Sequence, residues 1–291
     1  AGDVMKVLSN EISDKNIIVH KDYSIPKQVL KFRPLCLFIS YSGNTEETLS
    51  GISDAKKNNL DWVVISSGGK LIDIAQDEGK EYIKIPSGLQ PRAAFGYLTL
   101  AISRILDIVE GSDYVSQLKG ASSYLDKLTE KAVESDINKL SLNICESINK
   151  KTVIIYSGTD MSKVVSSRWK TQINENAKSK AFVGNLPEVH HNEILSWDAD
   201  IAGSKNNYIV ILIRDKNEHI QISKRFEFTK ELIGEIVNIV EIKLDNQEST
   251  LKTLLELVLL GDLVSLNLAN KLNIDPENID TIENLKKLLG G

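Results

Sequence analysis

Phe38-Ile39-Ser40-Tyr41-Ser42-Gly43-Asn44-Thr45-Glu46-Glu47-Thr48 begins in an apolar run, turns through hydroxyl residues and a glycine, and opens into a helical pattern. The apolar run, Leu35–Ile39, has no polar alternation, which is the pattern of a strand buried on both faces. A strand feeding a helix through so short a turn implies a strand–helix–strand unit, hence a parallel sheet with right-handed crossovers. The arrangement recurs: Trp62–Ile65 precedes a helix from about Leu71, and Tyr82–Ile85 leads through Pro86 to a long helix over about Pro91–Val109. The first half therefore reads as a doubly wound α/β unit.

Residues from about 113 to 150 carry helical periodicity and many charges but no strand signal, which places a domain junction there. Beyond it the pattern resumes. Thr152–Tyr156, Ala181–Val183, Tyr208–Ile213 and Ile236–Ile242 read as strands, and Lys163–Lys178, about Ser249–Leu272 and about Ile279–Leu289 as helices. A chain of 291 residues exceeds the usual size of one hydrophobic core. The expected organisation is two α/β domains, 1–125 and 126–291, each a doubly wound parallel sheet flanked by helices.

Hydrophobic residues at 42% and charged residues at 26% are the balance of a soluble globular chain. A formal net charge of -5 gives no general attraction to nucleic acid. No stretch approaches the roughly 20 apolar residues that span a bilayer, so no membrane partner is expected. Cys36 and Cys145 have neither disulfide-framework nor metal-ligand spacing, which fits a reducing cytoplasm.

The turn at Ser40–Thr45 has a chemical use. A helix N-terminus presents unpaired N–H groups and the positive end of its dipole, so a phosphate placed there is held by backbone donors and nearby hydroxyls. The alternative is a plain cap, with Ser42 or Asn44 satisfying the first turn and Glu46 and Glu47 complementing the dipole. Ser66-Ser67-Gly68-Gly69 ends the next strand and admits the same two readings. Arg92 is electrostatically unfavourable at a helix start, which marks it for another use or for an ion pair. In Gln172-Ile173-Asn174-Glu175-Asn176-Ala177-Lys178 a carboxylate is flanked by amides. Leu186-Pro187-Glu188-Val189-His190-His191-Asn192-Glu193 gathers two histidines beside two carboxylates. A metal reading of this cluster is weaker, because adjacent histidines point in different directions and no third spaced ligand set appears.

These four segments, in this order, resemble the archaeal-type bifunctional phosphoglucose/phosphomannose isomerases, whose fold is the sugar-isomerase (SIS) fold. The resemblance implies that Ser40, Ser42 and Thr45 hold the phosphate of a hexose 6-phosphate. It implies that Glu175 is the base moving a proton between C1 and C2, that His191 assists ring opening, and that Arg92 stabilises a cis-enediolate. The reaction implied is the interconversion of glucose 6-phosphate and mannose 6-phosphate with fructose 6-phosphate, with no metal and no cofactor, in a cytoplasmic homodimer. His190 stands where the family often has Asn, so its role is open. Near the C-terminus, Thr281 and Lys286 or Lys287 match a substrate-side threonine and lysine, with Lys287 taken as the binding residue. The family carries a strand and a Gly-Gly-Ser-rich turn ahead of a helix start like Ala1-Gly2-Asp3, so the sequence reads as an interior start. Two rivals remain: a non-catalytic SIS module that binds sugar phosphate and regulates a partner, and an isomerase or deglycase of another phosphosugar.

Overall fold

The computed structural model describes residues 1–244 and 249–288. The chain divides into two compact units, Ala1–Lys119 and Gly120–Gly291. Each is built on its own parallel sheet.

In the first unit, β1 (Cys36–Ile39), β2 (Trp62–Ser66) and β3 (Tyr82–Lys84) pair in the order β1-β2-β3. The register sets Phe38 beside Val64 and Ile65 beside Ile83. The helices α1 (Gly2–Ile12), α2 (Lys27–Leu30), α3 (Glu46–Lys57), α4 (Lys70–Asp77) and α5 (Phe95–Glu110) surround it, and α6 (Tyr114–Thr129) spans the division. Phe38, Trp62, Val64, Ile52, Ala55, Leu71 and Ala75 form one core in which α3 and α4 cover the strands. The doubly wound expectation is corrected here. Both crossovers step in one direction, and reversal would need a strand on the far side of β1, where none pairs among the described residues. The helix expected from Pro91 starts instead as a 3-10 turn over Pro91–Ala94 before α5.

The second unit is doubly wound. After α7 (Asp136–Ile148), its strands β4 (Thr152–Ser157), β5 (Ala181–Asn185), β6 (Tyr208–Arg214) and β7 (Asn238–Lys243) lie in the order β5-β4-β6-β7. β4 and β6 are central, and Ile209, Val210, Ile211, Leu212 and Ile213 are wholly buried, as expected for strands covered on both faces. The crossover helix α8 (Asp160–Ala177) steps toward β5, whereas α9 (Ile201–Asn207) and α10 (Ile220–Ile233) step the other way. Right-handed connections of opposite direction must lie on opposite faces. Accordingly Tyr156, Val210 and Leu212 pack with Leu186, Val189, Trp197, Phe226 and Ile233 on the α10 face. On the other face α8 packs against α11 (Thr250–Lys271), which also packs on α7. The last element is α12 (Asp280–Leu288).

The helix expected from Lys163 begins earlier, at Asp160, because Thr159 and Ser162 cap it reciprocally: Ser162 N donates to Thr159 Oγ1 (3.1 Å) and Thr159 N to Ser162 Oγ (2.9 Å). It stops at Ala177, where Lys178 turns left-handed at φ 51°. No described helix is long and apolar enough to cross a membrane.

Candidate active site

In the first unit the turn after β1 is fastened to the turn after β2. Gly43 adopts φ +72°, and a Cβ there would lie 1.8 Å from the Gly68 carbonyl oxygen. Gly69, also at φ +72°, lies under the Ser42 carbonyl, 2.4 Å from where its own Cβ would stand. Two glycines therefore face each other across a gap that admits no side chain. Asn44 does not cap α3; its Oδ1 accepts from Lys70 N (3.0 Å) at the start of α4. Thr45 stands at the N-cap of α3 and makes no side-chain cap. Its hydroxyl lies 2.7 Å from Ser40 Oγ, which also accepts from Gly43 N (3.2 Å).

The amides of the first turn of α3 thus meet no side-chain cap, beside a buried Ser40 and an exposed Ser42. Ser42 Oγ accepts from Asn44 N (3.3 Å), so its own proton can be donated outward. Glu46 accepts from Tyr23 OH (3.0 Å), which turns that carboxylate toward the Tyr23 segment. Amide and hydroxyl donors of this kind at a dipole-positive end suit a phosphate dianion. A cavity of about 430 Å³ runs along α3 beneath Tyr23–Lys27, lined also by Asp54 and Asn58, and its lining does not include Ser40, Ser42 or Thr45.

Arg92 is half-buried on the Pro91–Ala94 turn, and its Nη1 donates to Gln90 Oε1 (3.4 Å). The structure links its segment to the phosphate turn: Leu89 N donates to the hydroxyl of Tyr41 (2.8 Å), the residue between Ser40 and Ser42.

The second unit carries the remaining residues. Glu175 is half-buried on the last turn of α8. The turns leading to it are clamped to α11. Asp262 accepts from Arg168 through Nε (3.1 Å) and Nη2 (2.7 Å) and from Gln172 Nε2 (2.9 Å). Asn176 Nδ2 donates to Ser265 Oγ (2.8 Å), and Ser265 Oγ donates to the Asp262 carbonyl (2.7 Å). Trp169 Nε1 reaches the Leu257 carbonyl (2.8 Å) over Gly261, where a Cβ would stand 2.3 Å from the indole nitrogen. Behind Glu175, its carbonyl accepts from Lys178 Nζ (2.6 Å).

His191 is exposed on a 3-10 turn, Glu188–His191, that is anchored on both sides. Tyr156 OH donates to Glu193 Oε1 (2.8 Å) and accepts from Trp197 Nε1 (3.1 Å); burial and the Glu193 charge push the phenol far up. His190 faces inward. Its Nε2 lies 2.8 Å from Thr229 Oγ1, and that hydroxyl already donates to the Arg225 carbonyl (2.8 Å), so Nε2 carries the proton. Burial, then the Arg225 and His191 charges, hold the His190 pKa below its ordinary 6.5. His190 is thereby held to α10. Among the described residues no three His, Cys, Asp or Glu side chains gather to hold a metal.

One unit does not bring Glu175 and His191 to one point. Glu175 lies where α8 descends to the start of β5, and His191 lies beyond the end of β5 with its loop packed on the α10 face. Thr281 and Lys287 are both exposed on α12, about 120° apart around the helix. Sequence reading gave no role to Tyr41, Thr229, Asp262 or Ser265. The signal available for Tyr41 was an aromatic residue set between two loop serines.

After β4, Ser157-Gly158-Thr159 repeats the strand–turn–helix layout of the phosphate turn but is closed from within. The capping box occupies the Ser162 amide of α8, Thr159 Oγ1 also donates to Asp215 Oδ2 (3.1 Å), and Asp215 is buried at the end of β6.

The family model for the bacterial phospho-glucose isomerase C-terminal SIS domain matches residues 137–289. The chain is 34% identical over 295 residues to a bifunctional phosphoglucose/phosphomannose isomerase of Caldicellulosiruptor bescii, covering 99% of this chain and 85% of that one.

The chain belongs to that family.

An Aquifex aeolicus protein of the same name is 34% identical over 287 residues, covering 98% of this chain and 84% of its own. A Sulfolobus acidocaldarius D-glucosamine-6-phosphate 4-epimerase is 30% identical over 298 residues, covering 100% and 87%. Among solved structures, glucosamine-6-phosphate deaminase from Thermotoga maritima superposes with a TM-score of 0.60 at 15% identity, covering 90% of this chain and 74% of that one. That likeness shows the α/β fold with parallel sheets shared with SIS-type phosphosugar proteins.

Proposed function

We propose that this protein is an aldose–ketose isomerase that interconverts glucose 6-phosphate and mannose 6-phosphate with fructose 6-phosphate. The observation that carries the reading is the uncapped start of α3, where Thr45 turns to Ser40 and leaves backbone donors to an anion. The near-full-length relatives named for this activity support it.

In the proposed mechanism the phosphate rests on Ser40, Ser42, Thr45 and the first amides of α3, with Lys287 on the substrate side. His191 moves the proton that opens the sugar ring. Glu175 then carries a proton between C1 and C2, and the guanidinium of Arg92 stabilises the enediolate oxygen as charge develops. Both aldoses give the same enediolate, so one base serves both, and the scheme uses neither metal nor cofactor. Each unit is read as an SIS-type domain of a cytoplasmic enzyme.

The placement of Glu175 and His191 on different faces of one sheet supports a homodimer in which each site takes the two groups from different copies. In an isologous pair such an exchange completes two sites at once.

The test is an assay of EDTA-treated protein with fructose 6-phosphate, reading both aldose products separately. Formation of both, lost in Glu175→Gln, is the expected result; His191→Ala should spare substrate that is already ring-opened. Mixing Glu175→Gln with His191→Ala subunits should restore about a quarter of wild-type activity, since half the dimers are mixed and each has one intact site. Full activity in Glu175→Gln sinks the mechanism, and no recovery on mixing sinks the two-copy site. The Sulfolobus relative favours a second reading, a different phosphosugar reaction on the same cradle. Epimerisation of glucosamine 6-phosphate in place of isomerisation would select it.

A further inference from the structure

We infer that Tyr41 is a positioning residue that ties the phosphate turn to Arg92, so that a phosphate held at one sets the guanidinium at the other. The inference rests on the reading of Arg92 as a group that stabilises the enediolate.

Tyr41 is bonded in two directions. Its carbonyl accepts from Ser67 N (3.0 Å), from Ser67 Oγ (2.6 Å) and from Ser66 Oγ (3.3 Å), which fixes the turn after β2. Its hydroxyl accepts from Leu89 N (2.8 Å), which fixes the segment after β3. The turns at the carboxyl ends of all three strands of this sheet therefore meet at one residue. The β3 segment needs such a fastening. Pro86 and Pro91 lack amide donors, and Gly88 sits at φ +88°, so little backbone bonding can define Ser87–Gln90.

From Leu89 the path to Arg92 is short and stiff. Pro91 locks its own φ, Ala93 N closes the 3-10 turn on the Gln90 carbonyl (2.8 Å), and Arg92 reaches back to the Gln90 side chain. A shift of Leu89 is therefore carried to the guanidinium. In the other direction, the Tyr41 backbone lies between Ser40 and Ser42, whose hydroxyls belong to the phosphate cradle. Phosphate binding energy is in this way available to orient a group that acts only at the reacting carbons, which raises kcat more than it lowers KM.

The experiment is Tyr41→Phe, which removes one oxygen and leaves the carbonyl bonds in place, measured with fructose 6-phosphate in wild-type and Arg92→Ala backgrounds. In the wild-type background kcat should fall roughly three- to tenfold, the effect of one lost hydrogen bond. KM and competitive inhibition by inorganic phosphate should hold within about twofold, because the cradle itself is untouched. In the Arg92→Ala background the second change should have no further effect. Amide exchange at Leu89 should accelerate in Tyr41→Phe.

Unchanged kcat, an equal loss in both backgrounds, or unchanged exchange at Leu89 overturns the tether. Full kcat in Arg92→Ala alone overturns the role of Arg92, and the function of the tether with it, even where exchange at Leu89 shows the bond itself.

Discussion

Replacing Asp262 by Ala should loosen the helix that carries Glu175. Asp262 is the common acceptor of three donors on α8: Nε and Nη2 of Arg168 and Nε2 of Gln172. The two ionic side chains are 16% and 29% exposed, so the pair is largely shielded from water. Breaking a buried pair from one side costs about 3–5 kcal/mol, and the residual solvent access of both partners places this one near the lower end, about 3 kcal/mol. Asp262→Asn keeps one acceptor oxygen and should lose about half of that. Replacing both ionic partners by apolar residues, Arg168→Met with Asp262→Leu, should recover part of that loss, because no stranded charge remains and only the buried Gln172 amide is left unpaired. Urea unfolding gives these values. Glu175 lies about two helical turns beyond Arg168, so kcat should fall in Asp262→Ala while inhibition by inorganic phosphate is unchanged. A loss under about 1 kcal/mol in Asp262→Ala, or a double variant no better than the single one, refutes the clamp.

Gly43→Ala should cost at least about 2 kcal/mol and abolish phosphate inhibition, since φ is +72° and the new methyl meets the Gly68 carbonyl at 1.8 Å; normal thermal stability with normal inhibition contradicts this. His190 contributes to acid sensitivity. Its native pKa lies below 6.5, so as pH falls below that value the unfolded chain takes up the proton first and stability is lost, whereas above it the contribution is complete. His190→Asn should flatten the melting temperature between about pH 7 and pH 5, and an unchanged slope would count against a shielded His190.

The apolar runs were legible because burial on both faces leaves no polar alternation. Cys36–Ile39, Trp62–Ser66 and Tyr208–Arg214 fall within a residue or so of where the runs place them. The strand-to-helix turn at Ser40–Thr45 was legible from its residue types, but the cap assignment was not: Asn44 serves α4, a partner distant in sequence. Strand order, and with it the face on which the His191 loop packs, depends on the direction of each crossover, which leaves no mark in local composition. α10 escaped because exposed Ile220, Phe228 and Leu232 blur the period set by its buried residues Phe226, Thr229 and Ile233. Asp262, Ser265 and Thr229 act through contacts many residues away, where periodicity carries no information.

The closed turn at Ser157-Gly158-Thr159 has a consequence for how a small molecule is counted. Two open cradles on one chain would hold two phosphates, and a phosphosugar caught in the wrong one would be withheld from turnover. With Thr159 and Ser162 capping each other and the buried Asp215 beside them at the second helix start, an incoming anion meets a carboxylate. Of these two strand–turn–helix starts, the one at Ser40–Thr45 lacks a side-chain cap and the one at Ser157–Thr159 has one, so titration with inorganic phosphate should saturate at one equivalent per chain.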